Sequence, residues 1–173
     1  MMLYILPLIA IICVYKVVII VNLWYNRYMK ISTKGRYSLL MLLDLAEHKN
    51  DGFISLKDIS TRQGISKKYL EQIVTLLSRP DILRTNRGNK GGYMLAKDPE
   101  KYTVGQILRI TEGGLSPVSC LEDNPIQCDK VKECKTLTIW QGLEKAINKY
   151  LDGITLQDIL RDSQSAGAYE YYI

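Results

Sequence analysis

The chain has 173 residues, 47% of them hydrophobic and 24% charged, enough for one domain with a proper core. Its formal net charge of +5 permits an acidic partner such as DNA without requiring one. Four cysteines do not make two disulfides here. Cys13 lies in a greasy stretch far from the others, and Cys120, Cys128 and Cys134 are an odd number, so the three read as a metal or redox site of a reducing compartment.

Residues 1–28 do not match the remainder. Met1 to Leu23 is almost wholly apolar, broken by Lys16 and Asn22, and is long enough to cross a bilayer. Arg27, Lys30, Lys34 and Arg36 follow it and would hold the main domain on the cytoplasmic side. No small-residue cleavage site follows the apolar run, which argues against a signal peptide. The expected reading is that Met29 is the true start and the leader an artefact. The alternative is a genuine anchor.

From Ser32 to Glu47, Leu39, Leu40, Leu42, Leu43 and Ala46 recur at helical spacing, with Ser32 or Thr33 as cap and a turn at Asn50-Asp51-Gly52. Ser55 caps a second short helix that stops at Gly64. Ser66 caps a third, running to about Ser78, with Leu70, Ile73, Val74 and Leu77 inward and Lys67, Lys68, Glu71, Gln72 and Thr75 outward. Two short helices joined by Gln63-Gly64-Ile65, the second polar and basic on one side, make a helix-turn-helix pattern.

Ile82–Thr85 and Tyr93–Ala96 read as strands around the turn Arg87-Gly88-Asn89-Lys90-Gly91-Gly92. The hairpin reads as a wing whose glycines let the backbone approach a duplex and whose Arg87 and Lys90 reach a phosphate or the minor groove. A nucleotide-phosphate loop is the weaker reading, because the GxxxxGK[ST] pattern is absent. Thr103 and Gln106 form a capping box for a helix ending near Thr111. Leu115 to Cys134 carries Pro117, Pro125 and the three late cysteines and reads as a loop. Leu137, Trp140, Leu143, Ile147, Tyr150 and Leu151 mark a long amphipathic helix. Thr155 begins a short last helix, and Ser163 to Ile173 reads as a loosely ordered tail.

The segments Met29-Lys30-Ile31-Ser32-Thr33-Lys34-Gly35-Arg36-Tyr37, Ile59 to Ser66, Tyr69-Leu70-Glu71-Gln72 and Arg87 to Tyr93, together with the three late cysteines, resemble the IscR-type winged-helix regulators of iron–sulfur cluster assembly. The resemblance covers about Met29 to Leu160 and begins at Met29. It implies a mostly α fold with a small β-hairpin wing: a winged helix-turn-helix plus a long dimerisation helix. Four segments are expected: the leader 1–28, the DNA-binding domain 29–100, the cysteine loop and dimerisation helices 101–162, and the tail 163–173. It also implies a homodimer joined through Leu137, Trp140, Leu143, Ile147 and Tyr150, and binding to a roughly palindromic double-stranded operator. Some members carry no cluster and sense a protein partner or an oxidant.

The expected DNA-facing residues are Ser66, Lys67, Lys68, Tyr69, Glu71, Gln72, Arg87 and Lys90. Ser66 and Lys68 suit phosphates or base edges, and Gln72 can bond adenine bidentately. Glu71 could accept from cytosine or repel unwanted sequences. Cys120, Cys128 and Cys134 are the expected metal ligands, holding an iron–sulfur cluster, 2Fe–2S in preference to 4Fe–4S. The chain departs from the best-known pattern in two ways: Leu137 stands where a histidine ligand would be, and the C-x7-C-x5-C spacing is longer in its first gap. The only histidine, His48, reads as a surface residue. A fourth donor could be an oxygen of Asp129, Glu133 or Thr138, a residue of the partner subunit, or a small thiol.

The chain thus reads as a cytoplasmic cluster-dependent regulator of cluster assembly or cysteine and iron homeostasis genes, not an enzyme, with no small-molecule substrate and no membrane partner. The alternatives are a clusterless regulator using the thiols for zinc or direct oxidation and, from another class, a cluster-carrier or electron-transfer protein.

Overall fold

The computed structural model describes residues 31–79, 81–88 and 91–166. They form two compact units, 31–115 with 141–166 and, separately, 116–140. The leader 1–28, Lys90 and most of the expected tail lie outside the described residues. Among the described residues no helix is long and apolar enough to cross a membrane.

The larger unit is built from α1 (Thr33–Glu47), α2 (Leu56–Gln63), α3 (Lys67–Leu77), the hairpin β1 (Leu83–Asn86) and β2 (Gly92–Leu95), α4 (Val104–Glu112), the end of α5 (Leu137–Asp152) and α6 (Leu156–Ala166). Each of the first four helices starts on a side-chain cap. Ser32 accepts from the Gly35 N–H, Ser55 from Asp58, Ser66 from Tyr69 and Thr103 from Gln106. These bonds satisfy amide donors that have no partner inside the helix. Gly64 ends α2 at φ 64°, a left-handed cap that turns the chain into α3.

One core joins α1, α2, α3, the wing, α4 and α6. Met41, Leu42, Leu45, Ile59, Leu70, Ile73, Leu77, Ile82, Ile107 and Leu156 are all nearly or fully removed from solvent. The core therefore draws side chains from both sides of residue 100. Tyr102 pins the base of the wing: its buried hydroxyl accepts from the Lys97 N–H at 2.7 Å and donates to the Ile82 carbonyl at 3.1 Å.

The strands sit one residue from their expected places, running Leu83–Asn86 and Gly92–Leu95 with Leu83 opposite Leu95 and Asn86 opposite Gly92. Ile54 adds a one-residue rung, exchanging hydrogen bonds of 2.9 and 2.8 Å with Tyr93. The rung explains Gly92, since a Cβ there would stand 2.4 Å from the Ile54 carbonyl oxygen. Gly88 turns the wing at φ 115°. These two glycines serve the wing's own closure.

Two expectations are corrected. The long helix, expected from the resemblance over Lys135–Leu151, begins at Leu137, because Thr136 occupies the capping position and its carbonyl takes the Ile139 and Trp140 N–H groups. The last helix runs to Ala166, so residues 163–166 are helical instead of tail. Once a helix is nucleated each added residue gains a hydrogen bond, and no Gly or Pro stops this one before Gly167.

Candidate nucleic-acid interface and thiol loop

Helices α2 and α3 stand as a helix-turn-helix because one side of each is buried and the turn between them is held from below. Asp44 of α1, fully buried, takes Arg62 Nε at 2.9 Å, Arg62 Nη2 at 2.6 Å and Gln63 Nε2 at 3.0 Å. Burial alone would raise its pKa, but the hydrogen bonds from Arg62 and Gln63 and the Arg62 charge outweigh it and hold the carboxyl below its ordinary value. Sequence reasoning misses this network.

On α3, Leu70, Ile73, Val74 and Leu77 are buried and Lys67, Lys68, Glu71 and Gln72 are exposed, as the pattern requires. Ser66 is committed as cap, its oxygen accepting from the Tyr69 N–H at 3.3 Å, which leaves its hydroxyl proton free to donate. Lys67 Nζ stands 3.7 Å from Glu71 Oε1, a solvent-exposed pair on successive turns. Tyr69 is half-buried, its ring edge-on to Tyr37 with centroids 5.5 Å apart. Among the described residues Lys68 and Arg87 have no carboxylate within ion-pair distance. An open groove of about 730 Å³ runs between α3 and the wing, with Lys57, Lys67, Glu71 and Arg87 on its walls. The structure thus brings Lys67, Glu71 and Arg87 to one groove.

The smaller unit holds the thiols in a series of tight turns. Cys120 sits in the 3-10 turn Ser119–Leu121, and Cys128 accepts the Val131 N–H at the start of the turn Val131–Glu133. Cys134 follows that turn. All three are unpaired thiols of intermediate exposure. Cys134 Sγ lies 3.5 Å from Thr136 Oγ1, and the Trp140 indole N–H donates to the same oxygen at 3.2 Å. Either group can donate across the Cys134–Thr136 contact; to the ionised thiol, the Thr136 hydroxyl is the donor. That hydrogen bond first, then the backbone N–H groups of Thr136 and Leu137, holds the Cys134 thiol below its ordinary pKa. The thiolate is the form that ligates metals.

By donor chemistry the loop fits a soft metal or a cluster, offering three reduced, accessible thiols. By geometry it is not a finished cage: among the described residues no three His, Cys, Asp or Glu side chains are gathered so as to hold a metal ion. The turns close on their own hydrogen bonds, and thiols without metal gain nothing to offset the entropy of ordering the loop around a point. His48 is engaged elsewhere, with Nδ1 2.9 Å from the Asp44 carbonyl oxygen at the end of α1.

Residues 31–162 match the model of the Rrf2 family, described as an iron-dependent transcriptional regulator. The chain belongs to the Rrf2 family. It is 41% identical over 135 residues to the protein rrf2 of Nitratidesulfovibrio vulgaris, across 78% of this chain and 89% of that one. It is 38% identical over 146 residues to the HTH-type transcriptional regulator CymR of Bacillus subtilis, across 84% of this chain and the whole of the relative. Among solved structures it resembles T. potens IscR, with a TM-score of 0.62 and 36% identity over 83% of this chain and 94% of that chain. The expected resemblance to IscR-type regulators and the winged-helix fold both hold. This Rrf2 protein is a DNA-binding transcriptional regulator by family.

Proposed function

We propose that this Rrf2 regulator is a cytoplasmic homodimer that holds an iron–sulfur cluster on Cys120, Cys128 and Cys134, and that the cluster sets its grip on a palindromic operator. The observation that carries the reading is the set of three free, accessible thiols on residues 116–140. The family description as iron-dependent supports it. When bound, the cluster would supply an iron- and oxidant-responsive centre, 2Fe–2S being the form expected. Cys134 has its thiolate favoured by the Thr136 hydroxyl. Leu137 cannot serve as the fourth ligand, so an oxygen of Asp129, Glu133 or Thr138, a residue of the second copy, or a small thiol completes the set.

The operator contacts fall on Lys68 and Ser66 for phosphates, Gln72 for a base edge and Arg87 at the wing, with Lys67, Tyr69, Glu71 and Lys90 beside them. The dimer is formed by α5. None of its residues is buried within the chain, and Ile139, Leu143 and Tyr150 are 60%, 43% and 68% exposed. An apolar face of that size is stable in water when a second copy covers it. Leu137, Trp140 and Ile147 belong to the same proposed interface. The genes controlled would be those of cluster assembly or of cysteine and iron supply.

The test is anaerobic purification of the full chain, with absorption spectra and iron and acid-labile sulfide analysis. A brown protein with iron and sulfide in equal amounts is expected. A colourless product after anaerobic reconstitution would contradict the cluster. One observation favours a second reading, a clusterless regulator using the thiols for direct oxidation: the donors do not converge among the described residues. Under that reading the colourless protein would still bind DNA and would respond to peroxide.

A further inference from the structure

Helix α1 buries Gly35, Ser38, Met41, Leu42 and Leu45 and leaves Thr33, Arg36 and Leu40 exposed, with Tyr37 half-buried beside them. These four positions recur at helical spacing and form one stripe. Tyr37 is where the stripe meets the reading helix. Its ring and that of Tyr69 stand at 80° with centroids 5.5 Å apart, and Tyr69 lies in the first turn of α3 next to Lys68. The N-terminal parts of α1 and α3 therefore meet at the Tyr37–Tyr69 pair, and Arg36 is the exposed cation one residue from it.

Arg36 is exposed. Its Nη2 donates to Thr33 Oγ1 at 3.3 Å, and among the described residues no carboxylate is within ion-pair distance of it. Neither phenol hydroxyl, Tyr37 nor Tyr69, has a hydrogen-bond partner among the described residues. The amide end of α1 is already used. The Ser32 side chain accepts from Gly35, and the Glu112 carboxylate accepts from the Ser32 N–H at 3.2 Å and hydroxyl at 2.8 Å. What α1 offers an anion is thus an exposed guanidinium tied to the Thr33 hydroxyl and, at the next residue, a phenol whose ring is held edge-on to Tyr69.

We propose that Arg36 and the Tyr37 hydroxyl bind a DNA backbone phosphate, flanking the groove that α3 enters. A guanidinium fork suits phosphate geometry, and arginine and the tyrosine hydroxyl are both common partners of the DNA backbone. The pair positions the duplex and carries no base preference. It rests on the reading that α3 and the wing face DNA.

The test uses the full chain and a mixed-sequence duplex, with Kd followed by fluorescence anisotropy across a range of potassium chloride. Arg36→Gln is expected to weaken binding to every sequence alike and to flatten the log Kd against log salt slope by about 0.9 for each phosphate that is no longer neutralised. Arg36→Lys should restore the slope. Tyr37→Phe keeps the ring pair and the charge, so it should raise Kd at every salt concentration with the slope unchanged. Thermal melts matching the wild type show that the variants are folded. Wild-type curves for either Arg36→Gln or Tyr37→Phe overturn the proposal. If Lys68→Gln nevertheless weakens binding, the α3 reading survives alone. If Lys68→Gln is also silent, or the wild type binds no duplex, both fall.

Discussion

Asp44 ties the turn between α2 and α3 to α1. It has no solvent exposure, and three donors from Arg62 and Gln63 converge on its two oxygens across the turn between α2 and α3. Asp44→Asn keeps the volume and removes the charge, leaving Arg62 without its partner. Because Arg62 remains about a third exposed and can be rehydrated, the expected loss is about 2–3 kcal/mol, the scale of a charged hydrogen bond, read from urea unfolding. The pH dependence has a definite sign. A carboxyl whose folded pKa is depressed contributes stability above the unfolded value, and that stability is lost as pH falls through the folded one. The difference between wild type and Asp44→Asn should therefore be full near neutral pH and shrink below about pH 4. On the surface beside it, Gln72→Ala is expected to relax base preference at one operator position by about 1–3 kcal/mol. Lys68→Ala should instead weaken all sequences alike and reduce the salt slope by about 1, as quantitative footprinting over a salt series would show.

Among the elements, α5 and the wing make opposite demands. Helix α5 contributes no buried residue, so Leu143→Asp is expected to leave the melting temperature of the reading head nearly unchanged while shifting sedimentation from dimer to monomer. A folded dimer in that variant would move the interface elsewhere. In the wing, Gly92→Ala sets a methyl group 2.4 Å from the Ile54 carbonyl oxygen, where only backbone can yield. The expected cost is about 1–3 kcal/mol by urea unfolding, the range for forced overpacking.

The caps on Ser32, Ser55, Ser66 and Thr103 and the stop at Gly64 are legible in the sequence because each is a short-range bond between neighbours along the chain. The inward stripe of α3 is legible for the same reason. The bonds that assemble the elements are not. Asp44 to Arg62 spans 18 residues, Tyr102 to Ile82 spans 20 and Ser32 to Glu112 spans 80, and no periodicity announces such pairs. Arg36 and Tyr37 stand out in the sequence only as part of a motif and a basic run, because the nearness of Tyr37 to α3 depends on that packing. The thiols show the other limit: spacing names the donors but not whether the loop gathers them, which a bound ligand would itself help decide.

At the scale of the whole molecule, the proposed function couples two binding events. If cluster and DNA each favour one arrangement of a dimer, each changes the other's affinity by the same factor. Cys120→Ala, Cys128→Ala and Cys134→Ala together should remove the colour and the iron while leaving the core of α1–α4 and α6 intact, since none of the three belongs to it. Circular dichroism and sedimentation of the triple variant check this, and an unfolded chain would make the centre structural instead. The measurement that bears most directly on the account is one anaerobic titration performed twice, the same duplex selected from a random pool by the brown protein, before and after chelation strips its iron. The account predicts two curves displaced by about 5–150-fold in Kd, the usual range of such coupling, and no displacement in the triple cysteine variant. Superimposable curves from the iron-loaded and iron-free protein would contradict it.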